Sequence, residues 1–534
     1  MLSNVMDEVC PTGGAAPAPH TPTGQARPAA HVYPDKLDGR LLRIAGVCAL
    51  ASLMAHLDIT VVSVAQRTFV AEFGCPQAVV AWTMTGYMLG LATMIPMAGW
   101  AANRLGTKRV FMGSVLAFSL GSLLCAMAPN ILLLILFRVL QGFGGGVLTP
   151  VSFAIMARAA GPKRLGRLMG LVGIPMLLGP IGGPVLGGWL IGAYGWPWIF
   201  LVNLPVGLSA LALAAIVFPT DRSGSSETFD YIGMLLLLPG LALFLFGVTS
   251  SPGRGTVADR HVLIPATIGL ALIASFVWHA WYRTDHPLID LRLFKNRVVT
   301  QANVAMMVLA LGVFGAFLLL PSYLQQVLHQ TPIQSGVHTI PQALGAMVTM
   351  PLAGAFMDRR GPAKVVLAGI VLIAVGLGTF TFGVARQVDY LPTLLAGLAI
   401  TGMGMGCALM PLSGAAVQTL APHQITLGST LISVTQQIGG SIGTALTSVI
   451  LTHQFNLSEN ITAANQVASL QESAARRGVA VDPAAMPRQA LEPDFAAQVL
   501  HDVSHAYAVV FVITTALVVS TLIPAAFLPK TSAS

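Results

Sequence analysis

Charged side chains are what this chain has least of. Only 9% of its 534 residues are Asp, Glu, Lys or Arg, against 55% hydrophobic, whereas a soluble globular domain carries roughly a quarter charged residues. With a mean hydropathy of +0.76, that balance excludes a water-soluble enzyme or scaffold and leaves a polytopic membrane protein. Cysteine is scarce as well. The five, at positions 10, 48, 75, 125 and 407, show neither paired nor metal-type spacing, which removes a disulfide framework and a zinc site and leaves free thiols. No Walker-type phosphate loop is found, which argues against ATP-driven work within the chain, and no other cofactor is implied. The net charge of +8 does not indicate nucleic acid, because the bases are spread between apolar runs instead of gathered on one soluble face.

What is present is a series of apolar runs bounded by charges or turn residues. They predict fourteen spans, from 42–65 at the start to 505–528 at the end, each long enough for a bilayer of about 30 Å. Residues 1–40, rich in Pro, Ala, Thr and Gly, read as a disordered tail. The expected organisation is a six-helix bundle over 41–220, an inserted helix pair with a loop over 221–297, and a second six-helix bundle over 298–530. The last bundle includes a long loop, 453–504, in which the stretch from Asn465 to Arg477 has helix-forming character. Lys and Arg concentrate in alternate connections, at Arg40 and Arg43, Arg104 to Arg109, Arg158 to Arg167, Arg283 to Arg297 and Arg359 to Lys364. The positive-inside rule then puts both termini in the cytoplasm and the 453–504 loop outside.

The chain also repeats itself. At an offset of 255 residues, Leu89, Gly90, Pro96, Ala98, Gly99, Asn103, Arg104 and Gly106 align with Leu344, Gly345, Pro351, Ala353, Gly354, Asp358, Arg359 and Gly361. Glycines alone would allow close packing and tight turns in any membrane bundle. The repeated polar residues at the same level point further, to a conformational switch formed by Gly99, Asn103, Arg104 and Gly106 with Asp358, Arg359 and Gly361. Two related halves imply a carrier that rocks one half against the other around a central site.

At this point the residues resemble a known family. The stretch Gly99 to Arg109 is similar to the loop 2–3 signature of the major facilitator superfamily, and Arg138, Gln141, Gly142 and Gly144 to its fourth-helix motif. Gly183, Pro184, Gly187 and Gly188 resemble the fifth-helix motif of the drug-exporting branches. Leu57 to Val62 and Trp196 to Pro205 resemble the fourteen-helix drug:proton antiporters of the EmrB/QacA type. The family usually has Asp where this chain has Asn103, so the negative charge of the switch is expected to rest on Asp358. The resemblance implies a bacterial cytoplasmic membrane and small-molecule export driven by the proton gradient. It also brings to mind a partner spanning the outer envelope, which these residues do not establish.

Asp58 is the one carboxylate within the long apolar runs, and Arg138 the one base well inside a span. A charge at membrane depth costs at least a few kcal/mol, so each marks a functional site. A carboxylate holds its proton when water is withdrawn and releases it when a cation approaches, which suits proton coupling. Asp58 is therefore expected to carry the proton, Arg138 to be its counter-ion, and Gln141, three residues along the same face, to support the arginine. Gly179, Pro180, Gly183, Pro184, Gly187 and Gly188 are expected to form a ridge that biases the carrier towards export. Trp82, Tyr87, Tyr323, Gln325, Gln436 and Gln437 are expected to line the substrate cavity, since aromatic faces attract organic cations. The expected function is proton-coupled efflux of amphipathic or cationic compounds, with a carrier of one specific metabolite as the alternative.

Overall fold

The computed structural model describes residues 37–161, 164–219, 230–250, 259–284, 287–421, 424–477 and 486–529. Residues 1–36 of the tail expected over 1–40 lie outside this set, as do the side chains of Pro180 and Pro184 and several neighbours of theirs, whereas Gly39 and Arg40 already belong to the first helix.

The first group of helices comprises α1 (Gly39–Phe73), α2 (Gln77–Val80), α3 (Trp82–Met94), α4 (Met97–Leu105), α5 (Thr107–Ala126), α6 (Ile131–Ala160), α7 (Leu165–Tyr194), α8 (Trp198–Leu201) and α9 (Asn203–Val217). Next come α10 (Tyr231–Ser250) and α11 (Arg260–Tyr282). The remainder are α12 (Arg297–Gln326), α13 (Pro332–His338), α14 (Ile340–Arg360), α15 (Pro362–Ala385), α16 (Leu395–Gln418), α17 (Ile425–Leu457), α18 (Glu459–Arg477), α19 (Phe495–Ser520) and α20 (Leu522–Ala526). Among the described residues there is no strand, as expected of an open-ended chain in lipid, where a backbone must satisfy its own hydrogen bonds. Among the described residues, eleven stretches are long and apolar enough to cross a membrane. The interrupted run α2 to α4, together with α7 and α17, brings the architecture into line with fourteen spans.

Local chemistry sets the ends. Asp38 accepts from the Leu41 amide at 3.3 Å to start α1, and Asn130 accepts from Leu133 at 2.9 Å to start α6, which satisfies amides that the helix itself leaves unpaired. Lys108 donates to the carbonyls of Ala215 and Phe218 at 2.7 and 2.9 Å, closing the end of α9. The repeat is visible in the backbone: Gly106 and Gly361 end α4 and α14 at φ of +86° and +81°, a region that only glycine enters cheaply. Pro96 separates α3 from α4, while its counterpart Pro351 sits inside α14.

One apolar core joins α1, α5, α6 and α9 around Phe111, Val115, Phe118 and Leu148. Another joins α12, α15, α16 and α19 around Leu309, Ile370, Phe380 and Phe511. The pair α10 and α11 is bound to both, since Leu237, Leu241 and Phe276 share a cluster with Ile95 before α4 and with Leu431 and Val434 of α17. Between α17 and α19, α18 begins at Glu459, earlier than the Asn465 expected. Ser458 explains the difference: its hydroxyl accepts from the Ile461 amide at 3.1 Å and donates to Asp502 on α19 at 2.7 Å.

Candidate functional site

Asp58 lies midway along α1 with 1% of its surface exposed. Its carboxylate meets donors from two other helices. Arg138 Nη1 on α6 donates to Oδ2 at 2.5 Å, and Gln141 Nε2 of the same helix donates to Oδ1 at 2.9 Å. Asn203 Nδ2, at the first residue of α9, donates to Oδ1 at 2.9 Å. Arg138 is itself wholly buried. Its Nε donates to the Thr83 carbonyl at 3.0 Å, its Nη1 also to Gln141 Oε1 at 2.8 Å, and its guanidinium lies 4.1 Å from the centre of the Tyr87 ring. Cys125 Sγ on α5 donates to the same Gln141 oxygen at 3.6 Å. Ser122, one turn away, accepts from Asn203 Nδ2 at 3.0 Å and donates to the Phe200 carbonyl at 2.9 Å.

All three of these partners are donors, the arrangement that an acceptor-only carboxylate takes. Two opposite charges taken out of water are tolerable here because they meet each other and because two amides, a backbone carbonyl and a ring face supply further partners. Glycines bring the helices this close. A Cβ at Gly142 would come within 2.4 Å of the Tyr87 carbonyl oxygen, one at Gly146 within 2.2 Å of the Leu91 carbonyl, and one at Gly144 within 2.5 Å of the Phe118 nitrogen. His56 does not join the cluster. Its Nδ1 lies 2.7 Å from the Ser52 carbonyl of its own helix.

The glycines of α7 lie against the same stretch of α1. A Cβ on Gly179 would meet His56 at 3.0 Å, one on Gly183 would meet Thr60 Oγ1 at 2.0 Å, and one on Gly187 would meet Val61 at 3.0 Å. Thr60 also donates to the Gly179 carbonyl at 3.0 Å. Gly188 is exposed and faces open space. Pro180 and Pro184 belong to the same helix, their side chains lying outside the described set.

The switch residues divide into two unequal contacts between the halves, both at the end of the molecule rich in Arg and Lys. Asp358 accepts from the backbone amides of Gly166 and Arg167 at 2.8 and 3.0 Å and from Arg167 Nε at 3.1 Å, so the end of α14 caps the start of α7. A Cβ on Gly354 would stand 2.0 Å from the Gly166 carbonyl. In the other repeat, Asn103 is only 3.5 Å from Arg158 Nη2, and that same nitrogen donates to Thr426 of α17 at 2.7 Å. Gly99 lies against Leu427 and Thr430. Arg104 and Arg359 are exposed.

The residues expected in a cavity are scattered. Tyr87 is fully buried beneath Arg138, and Tyr323 is fully buried in an aromatic cluster with Phe380, Tyr507 and Phe511, so neither presents a surface to a ligand in this conformation. Trp82 is 37% exposed and stacks on Phe246 of α10 at 5.4 Å between ring centres. Gln325, Gln436 and Gln437 are half-buried. Sequence reasoning did not single out Asn203, Ser122 or Cys125. Asn203 lay within the stretch Trp196 to Pro205 that carries the family resemblance, but nothing in that stretch says that its amide meets the carboxylate.

An ion pair sealed inside one helical half, a repeated turn and a polar capping contact between halves define a polytopic membrane transporter. The descriptive model of the Major Facilitator Superfamily matches residues 48–231 and 302–458, and the chain belongs to that superfamily. It is a transporter and not an enzyme. The gap between the matched stretches holds α10 and α11. The chain is 76% identical over 534 residues to the multidrug resistance protein B homolog of Mycobacterium tuberculosis H37Rv, covering 100% of this chain and 98% of that one. It is 28% identical over 444 residues to the multidrug export protein EmrB of Escherichia coli K12, covering 80% of this chain and 85% of the other. The fold is similar to that of the human organic anion transporter MFSD10 at a TM-score of 0.58, with 15% identity over 90% of this chain and 99% of that one.

Proposed function

We propose that this chain exports amphipathic or cationic toxic compounds across a bacterial cytoplasmic membrane in exchange for protons. Its basic end would face the cytoplasm, as the distribution of Lys and Arg suggests. Support for the substrate class comes from the multidrug names of relatives that match nearly the whole chain or most of it. Support for proton coupling rests on one observation: a fully enclosed carboxyl group paired with Arg138 within the membrane-spanning part of the first half. In the proposed cycle, Asp58 releases its proton inward and substrate enters a cavity open to the cytoplasm. The halves then rock, and a proton from outside reaches Asp58 and resets the carrier.

The contacts of Asp358 with α7 and of Arg158 with Thr426 suit the stage at which the cytoplasmic end is closed. The decisive test is ethidium efflux from proteoliposomes under an imposed pH gradient. Asp58→Asn, which keeps the shape of the side chain and removes its proton, is expected to lower gradient-driven efflux at least tenfold while the protein still folds. Full efflux by that variant would overturn proton coupling at Asp58.

A further inference from the structure

We infer that Asn203 is a positioning residue for Asp58: its amide, oriented by Ser122, holds the carboxylate in its ionised form and sets the pH at which a proton can enter. The inference rests on the proton-coupling reading above. Asn203 is 3% exposed, and its Nδ2 reaches both Asp58 Oδ1 at 2.9 Å and Ser122 Oγ at 3.0 Å. Ser122 gives its own proton to the Phe200 carbonyl at 2.9 Å, so it can only accept from Asn203. The amide therefore cannot turn over. Flipping it would set its carbonyl oxygen against an ionised carboxylate on one side and an accepting hydroxyl on the other.

The consequence lies in what a proton on Asp58 would meet. Oδ1 faces the nitrogens of Gln141 and Asn203, and Oδ2 faces Arg138. None of these can accept. A proton on Oδ1, where both lone pairs are taken, must displace a donor, and of the two donors there Gln141 is held to Arg138 by a 2.8 Å bond on α6. Asn203 is the donor on a separate helix. Its bond therefore links the protonation of α1 to the seat of α9, with Lys108 pinning the far end of α9. The ionisable groups facing Asp58 are Arg138 from α6, Tyr87 beneath that arginine from α3, and Cys125 from α5 through Gln141. His56 lies on α1 itself. From α7 and α9 the facing stretches, 174–188 and 203–217, contain no ionisable residue.

The test reads the proton on Asp58 directly. In the full chain reconstituted in lipid nanodiscs, the infrared carbonyl band of a protonated carboxyl is followed with pH and assigned by its loss in Asp58→Asn. Removing one hydrogen bond to the ionised form is expected to move the midpoint of this band by about 1 pH unit to the alkaline side in Asn203→Ala, a tenfold change in proton occupancy. Asn203→Ser, which keeps a donor, is expected to recover part of the shift, and Ser122→Ala to move the midpoint the same way by less. An unmoved midpoint in a folded Asn203→Ala overturns the inference. If that variant does not fold, an unmoved midpoint in Ser122→Ala does so. If no band lost in Asp58→Asn titrates at all, the proton-coupling reading falls, and this inference with it.

Discussion

A buried carboxylate is expensive to strand. Arg138 gives bonds to Asp58, Gln141 and the Thr83 carbonyl, so Arg138→Gln leaves Asp58 uncompensated and is expected to cost about 3–5 kcal/mol of stability. Asp58→Asn with Arg138→Gln removes both charges and is expected to be less destabilised than Arg138→Gln alone. Thermal unfolding of the purified variants measures both, and additive losses would show that the pair is not coupled. That Asp58 and Arg138 would be buried partners was legible in the sequence, because a charge in an apolar run has the same cost wherever the helix packs and calls for a counter-ion. Asn203 was not, since its meeting with Asp58 spans 145 residues of chain and depends on how α9 seats against α1. Tyr87 was read as a cavity wall. An aromatic ring in a helix does not reveal whether its face meets a ligand or, as here, an arginine of the same protein.

At the scale of the helix, the ridge on α7 is a set of unequal glycines. Gly183 has Thr60 where a methyl would go, whereas Gly188 has nothing within 4 Å. Gly183→Ala is therefore expected to push α1 and α7 apart at a cost of about 1–3 kcal/mol. Gly188→Ala is expected to be neutral or slightly stabilising, as alanine is the better helix former. Thermal unfolding in detergent distinguishes them, and equal losses would mean that the ridge does not act through contact with α1. The helices themselves were readable from hydropathy, because lipid demands long apolar runs. The break around Pro96 and the start of α18 were less so: the first lies inside a continuous apolar run, and the second depends on Ser458 and Asp502, which are 44 residues apart.

For the molecule as a whole, the repeat foretold two related turns, and Asn103 in the place of the family's usual Asp foretold their inequality. Asp358 caps α7 with an ionised group, while Asn103 offers Arg158 an uncharged oxygen 3.5 Å away. A cap of this kind contributes on the order of 1 kcal/mol. Asp358→Asn is expected to populate the form open at the basic end, and Asn103→Asp, opposite Arg158, to favour the closed form. Distance distributions between spin labels at the exposed Arg109 and Lys364 measure this. Unchanged distributions in both variants would remove these contacts from the switch. The ion pair has a further, electrical consequence. While Asp58 and Arg138 are both ionised, the unit has zero net charge, and moving it through the membrane field does no electrical work. Once Asp58 takes up a proton, the same displacement carries the lone positive charge of Arg138. For the carrier's own charges, voltage then acts on the proton-bearing step alone, with about 2.3 kcal/mol per 100 mV for a full crossing of the field.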